Sequence, residues 1–152
     1  MLLVEDEDTD AFFVKRAIEK SDARHTLRVV KNGQEAIDYL KGEDQYSNRQ
    51  EFPLPNVVLA DLKMPIMGGF EFLQWLREHP HTAVVPTIIY SNSNLEEDVR
   101  RAYQLGANSF ITKPTDMDLF VDVLRLIRSY WSLCECLPRS LGFNGARIAS
   151  GA

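Results

Sequence analysis

Short strand-like segments alternate along the chain with segments in which apolar residues recur at helical spacing. Five segments have the length and the apolar or β-branched composition of strands, and they lie at 2–4, 26–30, 57–60, 86–90 and 109–112. Between and after them, the apolar spacing predicts helices at 8–20, 34–41, 70–79, 95–105 and 116–133. A polar stretch at 42–55 predicts a long surface loop before the third strand.

Five strands that alternate with five helices in short βα units predict a parallel sheet with helices on both faces. Right-handed crossovers leave few topologies, and the flavodoxin-like strand order 2-1-3-4-5 is the natural one for five strands. The predicted fold class is therefore α/β, with a doubly wound, five-stranded parallel sheet. A chain of 152 residues is typical of one domain. We place this domain at 1–133 and expect 134–152 to be a disordered tail or an expression remnant.

Composition and charge narrow the class of protein. The net charge of −5 argues against broad nucleic-acid binding and against binding to an anionic membrane surface. No apolar run approaches the roughly 18 residues that span a bilayer, and the acidic start of the chain is unlike a signal peptide. Cys134 and Cys136 lie too close together for a stabilising disulfide framework, which fits a reducing compartment. We therefore expect a soluble, cytoplasmic protein.

A polar, chemically capable residue follows four of the predicted strands. The acidic pair Glu5-Asp6 follows the first strand, Asp61 the third, Ser91 the fourth and Lys113 the fifth. On its own, Asp61 is equally well explained as a cap of the following turn. In a doubly wound sheet with the first strand beside the third, however, these strand ends share one crevice. We therefore expect three carboxylates, a hydroxyl and an ammonium to meet there.

The chemistry of these residue types points to phosphoryl transfer. Three clustered carboxylates repel one another and are costly without a cation. Oxygen ligands at the edge of a sheet suit a hard divalent ion such as Mg²⁺, which takes few carboxylates and keeps several waters. Bound Mg²⁺ would polarise an incoming phosphoryl group, and Asp61 would act as the nucleophile toward phosphorus. Lys113 and Ser91 would each interact with a phosphoryl oxygen, so the predicted site is fit to accept a phosphoryl group.

The chain resembles the receiver domains of bacterial two-component response regulators along nearly all of residues 1–133. The resemblance depends on motifs that occur in order: Leu2-Leu3-Val4-Glu5-Asp6, Leu59-Ala60-Asp61-Leu62-Lys63-Met64-Pro65, Ser91, and Phe110-Ile111-Thr112-Lys113-Pro114. It implies that a partner histidine kinase phosphorylates Asp61 and that Asp6 and Asp61 bind Mg²⁺. It also implies that Lys63 contributes its backbone carbonyl as a ligand and that the longer Glu5 side chain reaches the ion through water.

Ser91 and Phe110 match the hydroxyl and aromatic switch positions of these receivers. The resemblance implies that phosphorylation draws Ser91 inward and that Phe110 rotates into the vacated space, which changes the surface of the fourth and fifth helices. Asn92, next to Ser91, is bulkier than the small residue often found there. We expect Asn92 to narrow the access to the phosphoryl group and to slow its hydrolysis.

The last predicted helix carries more apolar residues than a core-facing stripe needs. They cover more than half of its circumference and comprise Leu119, Phe120, Val123, Leu124, Leu126, Ile127, Tyr130, Trp131 and Leu133. Such a helix is either buried more deeply than usual or contributes a second interface. We favour the interface and expect a homodimer, because the resemblance implies partner binding and isologous dimers in this region.

The resemblance also narrows the class of regulator. No output domain is expected after the receiver, because the remaining residues form no DNA-binding pattern. The loop at 42–55, the sequence after Asp61 and the ending Tyr130-Trp131 are similar to those of small regulators that pair with bacterial phytochrome kinases.

Two other classes of protein stay open at this point. A phosphatase of the dehalogenase type forms an aspartyl phosphate, but it needs a second acid where Lys63 stands. A flavin-binding, flavodoxin-like carrier needs a phosphate-binding loop after the first strand, where the acidic residues at 5–8 would repel phosphate.

Overall fold

Five strands form a parallel sheet in the computed structural model, which describes residues 1–21 and 26–134. The strands are β1 (Leu2–Val4), β2 (Arg28–Val30), β3 (Val58–Ala60), β4 (Thr87–Ser91) and β5 (Ser109–Thr112). Their order in the sheet is β2-β1-β3-β4-β5, and every neighbouring pair is parallel. Leu3 pairs with Val29 on one side and with Leu59 on the other, which fixes the register at the centre. The predicted fold class and strand order are confirmed.

The helices of the described part of the chain are α1 (Asp8–Lys20), α2 (Gly33–Lys41), α3 (Gly69–Glu78), α4 (Glu96–Gln104) and α5 (Met117–Leu133). Side chains cap the starts of two of them: Asn32 accepts from an N–H of α2, and Asp116 accepts from two N–H groups of α5. Gly42 ends α2 with a left-handed φ of 74°. These local signals explain the close agreement with the predicted helices. Among the described residues, no helix combines the length and the apolar character that crossing a bilayer requires.

The core lies in two layers, one on each face of the sheet. Leu2 and Val4 of β1 belong to the layer that α2, α3 and α4 cover, whereas Leu3 belongs to the layer that α1 and α5 cover. All three side chains are fully buried. Because both faces are covered, the inner strands are apolar at successive positions. The two layers hold the carboxyl ends of β1 and β3 side by side at one edge of the sheet.

The connection between α2 and β3 is the long surface loop predicted at 42–55, and it has some structure of its own. It contains a single 3₁₀ turn (Asp44–Tyr46), and the Tyr46 ring is buried against Tyr39. The Tyr46 hydroxyl donates to Glu35 Oε1 at 2.5 Å, and Arg49 donates to carbonyl oxygens at the end of α2. The segment is largely exposed, as a surface loop is expected to be, but aromatic rings within the polar stretch form a small core of their own.

Candidate functional site

Lys113 joins three carboxylates at the carboxyl edge of the sheet. It directly follows β5, and its Nζ donates to Glu5 Oε2 at 2.7 Å, to Asp10 Oδ2 at 2.5 Å and to Asp61 Oδ2 at 3.0 Å. The side chain of Lys113 is only 6% exposed. The three donors of the ammonium are thereby all used. Glu5, Asp61 and Lys113 come from three different strand ends, and they meet because the ends of parallel strands lie at one edge.

Asp61 directly follows β3 and is held by backbone hydrogen bonds. Its N–H donates to the Val4 carbonyl at 3.0 Å, and its Oδ1 accepts from the Leu62 N–H at 2.6 Å. A Cβ at residue 69 would overlap the Asp61 carbonyl oxygen, so α3 can begin this close to Asp61 only with Gly69. A role as a cap of the following turn therefore explains only the Oδ1 atom of Asp61, because Oδ2 accepts from Lys113.

Burial dominates the electrostatics of Glu5. Its side chain is fully buried, and burial raises its pKa above the ordinary range although the Lys113 ammonium acts in the opposite direction. Lys113 shows the reverse balance. Burial lowers the pKa of Lys113, but its hydrogen bonds to Asp10, Glu5 and Asp61 outweigh that effect and raise the pKa overall. Lys113 is therefore a permanent cation in a site with an excess of carboxylates.

The residues at this edge fit a divalent metal ion. Glu5, Asp6 and Asp61 each offer a carboxylate oxygen, and the three oxygens lie within 4.8 Å of one another. Asp6 Oδ1 is buried without a hydrogen-bond partner among the described residues, as expected of an atom that a cation would complete. An all-oxygen set of this kind suits Mg²⁺ or Mn²⁺. Lys63 lies in the following turn with an exposed side chain, and its carbonyl remains a predicted ligand.

Ser91 lies on β4, the strand next to β3, and Phe110 lies on β5, the strand beyond it. β4 ends at Ser91 itself, one residue later than predicted, and the residue is buried. The Ser91 carbonyl accepts from the Lys113 N–H at 2.9 Å, while its Oγ accepts from the Ser93 N–H at 3.4 Å. Phe110 pairs with Ile89 and packs, half-buried, against the core layer of α2, α3 and α4. Ser91 thus adjoins the backbone of Lys113, and the switching role of both residues stays a prediction.

Asp10 is the residue of this cluster that the strand-end pattern does not include. From the sequence alone it is one of the acids in the first turn of a helix, yet its carboxylate lies 2.5 Å from Lys113 Nζ. The signal that could have revealed it is its spacing, because Asp10 shares a helix face with the buried residues Val14, Ala17 and Ile18. A carboxylate on the core-facing side of a helix needs a partner, and here α1 places it over the edge of the sheet.

The sequence matches a known protein family. The family model of the response regulator receiver domain matches residues 1–125. The sheet order and the acidic edge described above are in agreement with that match. The chain belongs to the response regulator receiver domain family, which confirms the resemblance to two-component receivers.

One similar protein is the response regulator Rcp1 of Synechocystis sp. It is 30% identical to this chain over 138 residues, which cover 91% of this chain and 92% of Rcp1. The solved structure of its Mn²⁺-bound form has a TM-score of 0.74 at 29% identity, and the match covers 90% of this chain and 96% of that one. A divalent cation is therefore bound in a protein that is similar to this chain along nearly its whole length.

Two other solved structures are similar. The response regulator RPA3017 in red light signaling of R. palustris has a TM-score of 0.83 at 28% identity, with coverage of 90% of this chain and 96% of that chain. The phosphorylated cyanobacterial phytochrome response regulator RcpA has a TM-score of 0.78 at 30% identity, again with coverage of 90% and 96%. The chain thus resembles a response regulator of red light signaling and a phytochrome response regulator, in agreement with the resemblance that its sequence shows.

Proposed function

We propose that this chain is a single-domain response regulator that accepts a phosphoryl group on Asp61 from a sensor histidine kinase. The main support is the contact between Lys113 Nζ and Asp61 Oδ2, at 3.0 Å, within the acidic edge of the sheet. A carboxylate nucleophile beside a fixed ammonium has the positioning and the positive charge that phosphoryl transfer needs. In this proposal the receiver domain spans 1–133, and the tail expected at 134–152 lies, apart from residue 134, outside the described residues.

The proposed transfer forms one bond and breaks another. A carboxylate oxygen of Asp61 bonds to the phosphorus of a phosphohistidine on the kinase, the P–N bond breaks, and the imidazole leaves with the electron pair. The Lys113 ammonium and the Ser91 hydroxyl each donate to an oxygen of the transferred group. Attack of water on phosphorus later returns Asp61 and inorganic phosphate. The chain therefore catalyses only its own phosphorylation and slow dephosphorylation.

Glu5, Asp6, Asp61 and the backbone carbonyl of Lys63 are the proposed ligands of Mg²⁺. When bound, Mg²⁺ supplies positive charge that offsets the clustered carboxylates and polarises the phosphoryl group. The unpartnered Asp6 Oδ1 and the Mn²⁺-bound form of Rcp1 support this assignment. Glu5 is the least direct ligand of the set, because its Oε2 already accepts from Lys113 at 2.7 Å.

The proposed output is a change in the surface that α4 and α5 form. Ser91 moves toward the phosphoryl group, and Phe110 takes the space that Ser91 leaves. Two features support such coupling: the Ser91 carbonyl is hydrogen-bonded to the Lys113 N–H, and Phe110 precedes Lys113 by three residues on the same strand and turn. The switch thereby connects the phosphorylated edge to the surface of the domain.

A second copy of this chain is the proposed partner of α5. An exposed apolar stripe runs along this helix through Leu119, Leu126, Tyr130 and Leu133, with half-buried Val123 completing it. These residues recur after four, three, four and three positions, which is the heptad pattern of a helix that packs against another helix. Phe120, Val121 and Leu124 face the core from another side of α5, and half-buried Val123 also packs against that core layer. The exposure of these side chains of the stripe disfavours the alternative of a helix buried more deeply than usual, and an isologous contact between two copies would cover the exposed stripe.

The proposed donor is a sensor kinase of the bacterial phytochrome type, and the proposed location is the cytoplasm. The similarity to RPA3017 and RcpA supports the choice of kinase, since RPA3017 is a regulator in red light signaling and RcpA is a phytochrome response regulator. The net charge of −5 favours neither nucleic acid nor an anionic membrane as a further partner.

Labelling with acetyl phosphate tests the proposed function. The wild-type chain should gain a hydroxylamine-labile phosphoryl group in the presence of Mg²⁺, and both EDTA and Asp61→Asn should abolish it. Asp8→Asn is the matched control, because Asp8 is an exposed acid that pairs with Lys31 and not with Lys113. Labelling of Asp61→Asn at the wild-type rate would contradict the proposal. If Asp61 is labelled as expected, phosphotransfer from the histidine kinases of the source organism would identify the donor.

A further inference from the structure

We propose that Asp10 is a positioning residue for Lys113. Its carboxylate holds the Lys113 ammonium aside while Glu5 and Asp61 bind a divalent cation. This inference rests on the proposed function, because it concerns the same site. Asp10 makes the shortest of the three contacts of Lys113 Nζ, at 2.5 Å against 2.7 Å for Glu5 and 3.0 Å for Asp61. Asp10 is also the one of these three acids that lies outside the metal-binding cluster of Glu5, Asp6 and Asp61.

Lys113 and a cation compete for the same carboxylates. Nζ donates to Glu5 Oε2 and to Asp61 Oδ2, and both residues belong to the set whose oxygens lie within 4.8 Å of one another. A bound dication repels the ammonium, so these two hydrogen bonds must lengthen or break when the cation binds. A buried ammonium without an acceptor would be costly. Asp10 supplies the acceptor that the cation does not use.

The position of Asp10 in α1 suits this role. It lies in the first turn, where the unpaired N–H groups of the helix stabilise a negative charge. Its side chain is 33% exposed, so its carboxylate keeps contact with water whether or not the ammonium stays close. Glu5, in contrast, is fully buried and depends on Lys113 or a cation for compensation. Asp10 can therefore hold Lys113 in both the cation-free and the cation-bound site.

The same turn of α1 offers a matched control. Asp8 has a side chain that is 95% exposed, and its Oδ1 contacts Lys31 at 2.5 Å. Asp8→Asn and Asp10→Asn each remove one negative charge from the start of α1. Only Asp10→Asn also removes the ionic contact with Lys113. The difference between these variants therefore measures the contact rather than the charge.

The first measurement is the affinity for Mn²⁺, read from the electron paramagnetic resonance signal of the free ion. Asp10→Asn should weaken Mn²⁺ binding about three- to tenfold, since a hydrogen bond to a charged group is lost and the ammonium moves back onto Glu5 and Asp61. Asp8→Asn should change the affinity by less than about twofold at physiological salt. Asp10→Glu, which keeps the carboxylate, should restore part of the wild-type affinity.

The second measurement follows the ammonium directly. In ¹⁵N-labelled protein the side-chain signal of Lys113, assigned by its loss in Lys113→Met, should persist at saturating Mg²⁺ in the wild type and in Asp8→Asn. It should broaden or vanish in Asp10→Asn, because the ammonium protons then exchange with water. Equal Mn²⁺ affinities for Asp10→Asn and Asp8→Asn, or a Lys113 signal that persists in Asp10→Asn, would overturn the role of Asp10. A wild-type chain that binds no Mn²⁺ would instead overturn the proposed metal site on which this role depends.

Discussion

Glu5 and Lys113 form an ion pair at 2.7 Å, in which the Glu5 side chain is fully buried and that of Lys113 is only 6% exposed. Removing two charges from water is costly, and their mutual attraction recovers only part of that cost. At Glu5 the cost of burial exceeds the attraction to Lys113, because burial raises the pKa of Glu5 despite this contact. The folded chain therefore retains a carboxylate that lowers its stability, at a position that the proposed metal site uses.

The stability of the protein should accordingly fall, through Glu5, as the pH rises. Because the pKa of Glu5 is raised in the folded chain, the folded state binds a proton there more tightly than the unfolded state does. The contribution of Glu5 to the free energy of unfolding therefore decreases as the pH rises from 4.5, the ordinary pKa of the group, to its raised pKa in the folded chain. Glu5→Gln does not titrate, so its urea midpoint should exceed that of the wild type above this range. A difference between the two midpoints that stays constant with pH would contradict the expectation.

Ile66→Asn should stabilise the fold by relieving backbone strain. Ile66 has a φ of 68°, which is costly for a β-branched residue, and the Met67 N–H donates to the Pro65 carbonyl at 2.7 Å around it. Its side chain is 85% exposed, so little apolar contact is lost. Asn tolerates this region, and the free energy of unfolding should rise by about 1 kcal/mol in urea denaturation. Val84→Asn is the control, because Val84 is an exposed β-branched residue without a positive φ. Equal effects of both substitutions on the free energy of unfolding would exclude strain at Ile66.

The meeting of Glu5, Asp61, Ser91 and Lys113 at one edge of the sheet could be predicted from the sequence. Each residue ends or follows a short strand-like segment, which is a local signal. A parallel sheet then brings its carboxyl ends together whatever the side chains are, and the handedness of the crossovers sets the strand order. The strand-like segments and the polar residues that follow them are visible in one sequence, and together with the rules of sheet topology they are sufficient to predict this meeting of strand ends.

The contact of Asp10 and the burial of Tyr46 could not be predicted in the same way. The hydrogen bond from Lys113 to Asp10 joins residues that are 103 positions apart, and it depends on how α1 lies across the sheet. Tyr46 lies in a polar stretch, and its burial depends on a contact with the Tyr39 ring, 5.0 Å between centroids. Both features arise from tertiary packing, which overrides local pattern and propensity.

Leu126→Asp should weaken the proposed homodimer. Leu126 is exposed in the middle of the apolar stripe of α5, where a helix of a second copy would bury it. The variant loses a leucine that the dimer would bury and places a charge in the interface, so the dissociation constant of the dimer should rise about tenfold or more. Equilibrium sedimentation with and without beryllofluoride measures this constant. Arg128→Asp introduces a carboxylate on α5 outside the stripe, in place of a positive charge, and should have a smaller effect. A wild-type chain that is monomeric at high concentration in both states would refute the dimer.

Asn92→Ala should shorten the lifetime of the phosphoryl group. Asn92 is exposed and adjoins Ser91, the residue proposed to bind a phosphoryl oxygen. A smaller side chain there opens a path for the attacking water, which a closed site would otherwise exclude. Dephosphorylation after removal of acetyl phosphate should become several-fold faster. Asn94→Ala, which changes another exposed asparagine of the same loop, should leave the rate unchanged, and equal rates for all three proteins would disprove the role of Asn92.

Ser91→Ala should separate phosphorylation from the response of α4 and α5. Asp61 and Lys113 remain in this variant, so labelling with acetyl phosphate should continue. The hydroxyl that would bind the phosphoryl group is absent, and Phe110 then has no vacated space to enter. Hydrogen exchange of the amides of α4 should therefore change on addition of beryllofluoride in the wild type and in Ser91→Thr, which keeps the hydroxyl, but not in Ser91→Ala. A change of wild-type size in Ser91→Ala would show that Ser91 does not couple the phosphorylated edge to this surface.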